Sequence, residues 1–110
     1  MIDMKTNKNK RISNKPTDSF TMVHQETILN KAEFNRFLNW VSAEYELYLQ
    51  DNEKGLTVYF PGICLQIFEK SYENNLLNFE ISIKSKYEKN GVQISRQVLS
   101  ILNHLKHFIC

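Results

Sequence analysis

Leu77, Phe79, Ile81 and Ile83 alternate with Asn78, Glu80, Ser82 and Lys84. Successive strand side chains point to opposite faces, so this run lays one face on a core and gives the other to water. A sheet with one dry face needs a cover, and helical stripes lie on both sides of the strand region. The first is Phe34, Phe37, Leu38, Val41, Tyr45 and Tyr48, at steps of three and four. The last is Val98, Ile101, Leu102, Leu105, Phe108 and Ile109. Between them, Leu56, Val58 and Phe60, then Ile63, Leu65 and Ile67, repeat the period of two. The pattern predicts an α+β fold of order α-β-β-β-α. An antiparallel three- to four-stranded sheet would carry two helices on one face. Residues 19–28 are β-prone and add a short leading edge strand.

The boundaries follow from local chemistry. Asn30 is the expected N-cap of the first helix, with Glu33 in capping-box position and Leu29 and Phe34 at staple spacing. That helix is expected to end near Gln50, where Asp51, Asn52 and Gly55 break it. Pro61-Gly62 reads as a type II turn, whose twist opposes a tight two-residue hairpin, so a bulge or wider connection is expected. Ser71 to Asn75 read as a polar loop. Asn90-Gly91 reads as a turn before a brief Val92–Ile94 strand, and Ser95 as the N-cap of the last helix.

The 110 residues suit one domain. Residues 1–18 are nearly devoid of apolar side chains and cannot offset their own ordering entropy, so a flexible basic arm is expected there, with a single domain over 19–110. Charge is unevenly spread. Residues 1–15 carry five basic groups against one acidic, and residues 26–75 four against eight. Residues 76–110 return to five against two. The middle should repel a polyanion, while the arm and the C-terminal third attract one.

Two separate cysteines, Cys64 and Cys110, make no disulfide framework and fit a reducing cytoplasm. The N-terminus has no apolar signal core, and no run approaches the ~20 residues that span a bilayer, so no membrane is expected. Abundant Asn and Lys suggest a bacterial or phage genome.

No phosphate loop, nucleophile elbow or carboxylate pair appears, so no enzyme, catalytic residue or cofactor is expected. Cys64 alternates with Ile63 and Leu65 mid-strand and reads as a packed residue. His104, His107 and Cys110 fall at i, i+3 and i+6 of the last helix. They lack a second ligand cluster, so no metal site is assigned. The element order matches double-stranded-RNA-binding domains. Those carry a glycine-bearing loop before the second helix, which Asn90-Gly91 could match, and a lysine-rich first turn, where this chain has only Arg96, so that family is not assigned.

Two surfaces remain as binding candidates. Arg36, Trp40, Ala43 and Leu47 form a second stripe on the first helix, away from the core stripe, of the kind enriched in protein-binding hot spots. Lys5, Lys8, Lys10, Arg11 and Lys15 of the arm, with Lys84, Lys86, Lys89 and Arg96, form the nucleic-acid candidate. The leading expectation is a small non-enzymatic regulator or inhibitor docked on a macromolecular protein partner, such as a nucleic-acid-handling protein targeted by a phage or mobile element. The alternatives are a nucleic-acid-binding module and a chaperone or immunity-type protein for a co-encoded partner. A homodimer, through the helix stripe or a sheet edge, is compatible with all three.

Overall fold

The computed structural model describes residues 19–109. Strand β1 (Phe20–Ile28) leads into helix α1 (Lys31–Glu44). Four strands follow as a meander: β2 (Leu49–Asp51), β3 (Leu56–Phe60), β4 (Ile63–Glu73) and β5 (Leu76–Ser85). Helix α2 (Glu88–Ile109) ends the described chain. The strands form one five-stranded antiparallel sheet in the order β1-β5-β4-β3-β2. The α+β class and the two covering helices are as the sequence implies. The sheet is larger than expected. Its leading strand is nine residues long, and β2 occupies the segment expected to be helical.

The inward positions of β3, β4 and β5 meet Phe34, Phe37 and Val41 of α1, Tyr45 at its C-terminal cap, and Val98, Leu102 and Leu105 of α2 in one buried core. Phe79 lies between Phe34 and Phe37, with ring centroids at 5.1 and 5.6 Å. Ser95, 3% exposed, shares a 2.9 Å hydrogen bond with Nε2 of His24 and ties α2 to β1. Tyr45 Oη donates to Gln97 Oε1 at 2.7 Å and ties the two helices together. Burial of this phenol, reinforced by Glu44 and then Tyr48, raises its pKa from 10.0 to about 12.

Several boundaries differ from expectation, each for a local reason. Asn30 does cap α1, its Oδ1 accepting from Glu33 N at 2.9 Å. The helix stops at Glu44 because Gln50 seizes its end. Gln50 Nε2 donates to the carbonyls of Ser42 and Tyr45 at 3.0 and 2.8 Å, and Ser42 Oγ donates to Gln50 Oε1 at 2.5 Å. One side chain from β2 thus satisfies the orphan carbonyl of Ser42 and adds a second donor to that of Tyr45, which also accepts from Tyr48 N at 3.0 Å. Tyr48, counted in the helical stripe, instead lies beyond the helix against Phe60.

Phe60 pairs directly with Ile63, so Pro61-Gly62 is a two-residue hairpin turn, with Gly62 at φ 75°. Strand β4 runs through the expected polar loop to Glu73. The turn is only Asn74-Asn75, both with positive φ (54° and 65°), as a twist-matched hairpin requires.

Asn90, Gly91 and Val92–Ile94 are helical. Ser85 Oγ accepts from Tyr87 N at 3.2 Å and donates to Tyr87 O at 2.6 Å, organising the start of α2 three residues after β5. Gly91 serves close packing rather than a turn. A Cβ there would stand 3.0 Å from both the Phe20 ring and Ser85 Cβ.

Candidate functional site at the sheet edge

The segment joining α1 to β3 carries three consecutive large apolar residues, Leu47-Tyr48-Leu49. Neither a helical nor a strand period can bury three in a row. Leu47 sits in the turn after α1 and is 92% exposed. Leu49 begins β2 and points to the uncovered face of the sheet at 73% exposure, directly opposite Tyr59 of β3 at 45%. Tyr48 turns to the helical side and is 42% exposed. Its ring packs on Phe60 at 4.7 Å, and Phe60 packs on Tyr45 at 4.9 Å. The result is an apolar corner wrapped around the short edge strand and rooted in the core through an aromatic chain. Gln50 fixes it to the end of α1.

The rim is acidic. Glu44, Glu46, Asp51 and Glu53 are all exposed around the corner, against one basic group, Lys54. Beside it, a cleft of about 650 Å³ runs between α1 and the turn Asn52–Gly55. Asn35, Asn39 and Ser42 line one wall, and Phe34 and Leu38 lie at its base.

The expected helix stripe is not brought together as drawn. Leu47 lies off the helix, because α1 ends at Glu44. Trp40 is half-buried against the core rather than standing clear of it. At ~100° per residue it falls on the flank of α1 opposite the cleft, the side on which α2 lies. Arg36 and Ala43 are exposed on α1, and Arg36 Nε lies 3.5 Å from Glu33 Oε1. Leu47 is the member of the stripe that joins the corner. The sequence reading places Tyr48 in the core stripe and gives Leu49 and Tyr59 no binding role, although the Leu-Tyr-Leu run marks Tyr48 and Leu49.

Lys5, Lys8, Lys10, Arg11 and Lys15 lie outside the described residues. Lys84 stands on the uncovered sheet face, opposite Thr21 and Cys64. Lys86 follows the end of β5, its backbone N–H donating to Gly62 O at 2.9 Å. Lys89 lies in the first turn of α2 instead of a loop, and Arg96 two turns further on. Helix α2 covers the other face of the sheet from Lys84. Lys89 and Arg96 line one open cleft on α2 with Glu88, Val92 and Gln93, whereas Lys84 lies on the opposite face of the sheet.

Cys64 is half-buried; burial raises its thiol pKa, opposed by Lys84. His104 Nδ1 and His107 Nδ1 bond to the carbonyls of Ser100 and Asn103 one turn back, at 3.0 and 2.8 Å. Among the described residues no three His, Cys, Asp or Glu come together as metal ligands, and no helix is long and apolar enough to cross a membrane. Cys110 lies outside them. No family model matches the chain, and no curated protein sequence matches it.

Proposed function

We propose that the protein is a small non-enzymatic regulator that docks on a protein partner through the apolar corner Leu47, Tyr48, Leu49 and Tyr59. The supporting observation is the combination of exposed apolar centre and acidic rim at that corner. Interfaces pair a desolvated aromatic or aliphatic centre with a polar rim, and rim charge selects the partner by complementarity. An acidic rim repels phosphate and favours a basic protein surface, such as a nucleic-acid-handling protein presents around its own binding site. The corner needs no rearrangement to bind, because Gln50 and the Tyr45–Phe60–Tyr48 cluster already hold it.

The test is photo-crosslinking from position 47 in the cells of origin, with position 93 on the exposed surface of α2 as control. The reading expects one protein captured from 47 and not from 93. With that protein purified, Leu49→Asp should weaken binding by roughly 30-fold, as loss of a hot-spot contact does. Glu46→Lys should slow association and flatten its salt dependence. Equal capture from both positions, or capture of nucleic acid from 47, would refute it.

A further inference from the structure

The two edges of the sheet are protected very differently. Strand β2 is three residues long, and shortness is itself a guard against pairing with another chain. Strand β1 is nine residues long, and among the described residues nothing pairs with its other side. Edge strands are usually blunted by proline, lysine, a bulge, an inward-pointing charge or brevity, and of these β1 has only the inward Glu26, which Lys106 of α2 meets at 3.8 Å. Phe20–Ile28 contains no proline, lysine or glycine, and its register with β5 runs unbroken from Phe20↔Ser85 to Ile28↔Leu77. Its outward row is Thr21, Val23, Gln25 and Thr27, with Val23 51% exposed. These are residues that favour strand pairing or tolerate it without charge.

We infer that β1 pairs antiparallel with β1 of a second copy of this chain, about a two-fold axis through His24, to make one continuous ten-stranded sheet. The sequence of β1 is close to self-complementary about that residue. Thr21 falls opposite Thr27 twice and Phe20 opposite Ile28 twice, both favourable cross-strand pairs. The one acidic residue, Glu26, falls opposite Met22, so the two copies of Glu26 never face each other. Each Glu26 is instead diagonal to the His24 of the other copy.

Helix α2 supports the same axis. Gln97 faces α1 through Tyr45, and Lys106 lies 3.8 Å from Glu26 of β1, which fixes the flanks of the helix. At ~100° per residue, Val92 and Leu99 share the Lys106 flank, overhanging the free edge. Both are half-buried. Across the axis these flanks would meet, extending the apolar layer beneath the joined sheet. This pairing is independent of the proposed corner. It would place the two corners at the far ends of the ten strands, roughly 43 Å apart at the usual strand spacing.

The test uses the full chain. Sedimentation equilibrium should give twice the 13.0 kDa chain mass at micromolar to near-millimolar concentration. Thr21→Glu with Thr27→Glu sets like charges opposite each other at both ends of the pairing, and should raise the dimer dissociation constant about tenfold at low salt. Thr21→Glu with Thr27→Lys sets opposite charges in the same places and should restore it to within a few-fold of the parent. Both substitutions sit on the exposed sheet face, beside Lys84 and Asn78, and circular dichroism checks that each variant keeps its fold. Hydrogen exchange on the unmodified chain is the second readout: the alternate β1 amides that point away from β5 should slow as the dimer forms, while those already paired with β5 are protected in the monomer. A monomer throughout the range overturns the inference, and a monomer with uniformly protected β1 assigns the edge to another segment. A dimer indifferent to both charge pairs also overturns it, because its interface then lies elsewhere.

Discussion

Gln50 is the residue on which both the end of α1 and the apolar corner depend, so its replacement is the sharpest test of this architecture. Its amide donates to two carbonyls, and its oxygen accepts from Ser42. Each such bond contributes about 0.5–1.5 kcal/mol net, and water can reach part of the site in the variant, so Gln50→Ala should cost about 2 kcal/mol. Gln50→Glu is nearly isosteric and should be worse at neutral pH. Its carboxylate would point at the Ser42 and Tyr45 carbonyls, at the negative end of a helix, with Glu44 and Glu46 close in sequence. That environment raises the folded-state pKa of the introduced group above its unfolded value of about 4.3. The extra penalty is therefore absent below the unfolded pKa and grows as pH rises through the folded one. Urea unfolding followed by Trp40 fluorescence should move its midpoint down by about 1–2 M for Gln50→Ala, at a slope of about 1–1.5 kcal/mol/M. The order at neutral pH should be parent, then alanine, then glutamate, with the last two converging in acid. A Gln50→Ala variant within about 0.5 kcal/mol of the parent, or a glutamate variant as stable as the alanine one at neutral pH, would refute the reasoning.

Glycine substitutions should separate by neighbour rather than by sequence context. Gly55→Ala would place a Cβ 2.2 Å from Ile67 O at φ 94° and should cost about 3 kcal/mol or more by denaturant unfolding. Gly62→Ala meets nothing closer than Lys86 Cβ at 3.7 Å and should cost only the left-handed backbone penalty of about 1 kcal/mol. Gly91→Ala gains about 1 kcal/mol of helix propensity but presses on Ser85 in a buried strand, so a thermal melt should show net destabilisation. The neutral Tyr45 phenol is favoured in the fold, so its contribution is present below pH 10.0 and is lost as pH rises toward about 12. Tyr45→Phe should be less stable at neutral pH, through loss of the Gln97 bond, and should lose less additional stability across that alkaline window.

The core was legible in the sequence because burial imposes a period. Leu77 to Ile83, Phe34 to Val41 and Val98 to Leu105 all lie where their spacing puts them. The elements that went unread are those whose ends are set by contacts that no local pattern announces. Nothing local to Tyr45 says that α1 must stop there, since the stop is an amide five residues on that becomes available only when β2 pairs with β3. Nothing local to Asn90-Gly91 says helix. The glycine is needed because Phe20, some seventy positions earlier, packs against it. Turn propensity was a sound prior overruled by tertiary contact.

The same distinction bears on where function lies. The stripe at Arg36, Trp40, Ala43 and Leu47 was drawn by extending a helical wheel past the true end of the helix. Once α1 stops at Glu44, Leu47 no longer shares a face with Trp40, which the core half buries. Leu47 joins instead with residues that obey no period. A run such as Leu47-Tyr48-Leu49 is costly to leave in water, and the fold has no interior position for it. Gln50 and Phe60 hold the run in a defined place, and the exposed charges nearest it in the chain are mostly acidic. A segment needed only to link α1 to β3 could have used polar residues at Leu47 and Leu49, 92% and 73% exposed, without touching the core. The observed sequence accepts an exposed apolar surface there, and a partner that covers it supplies a physical reason for doing so.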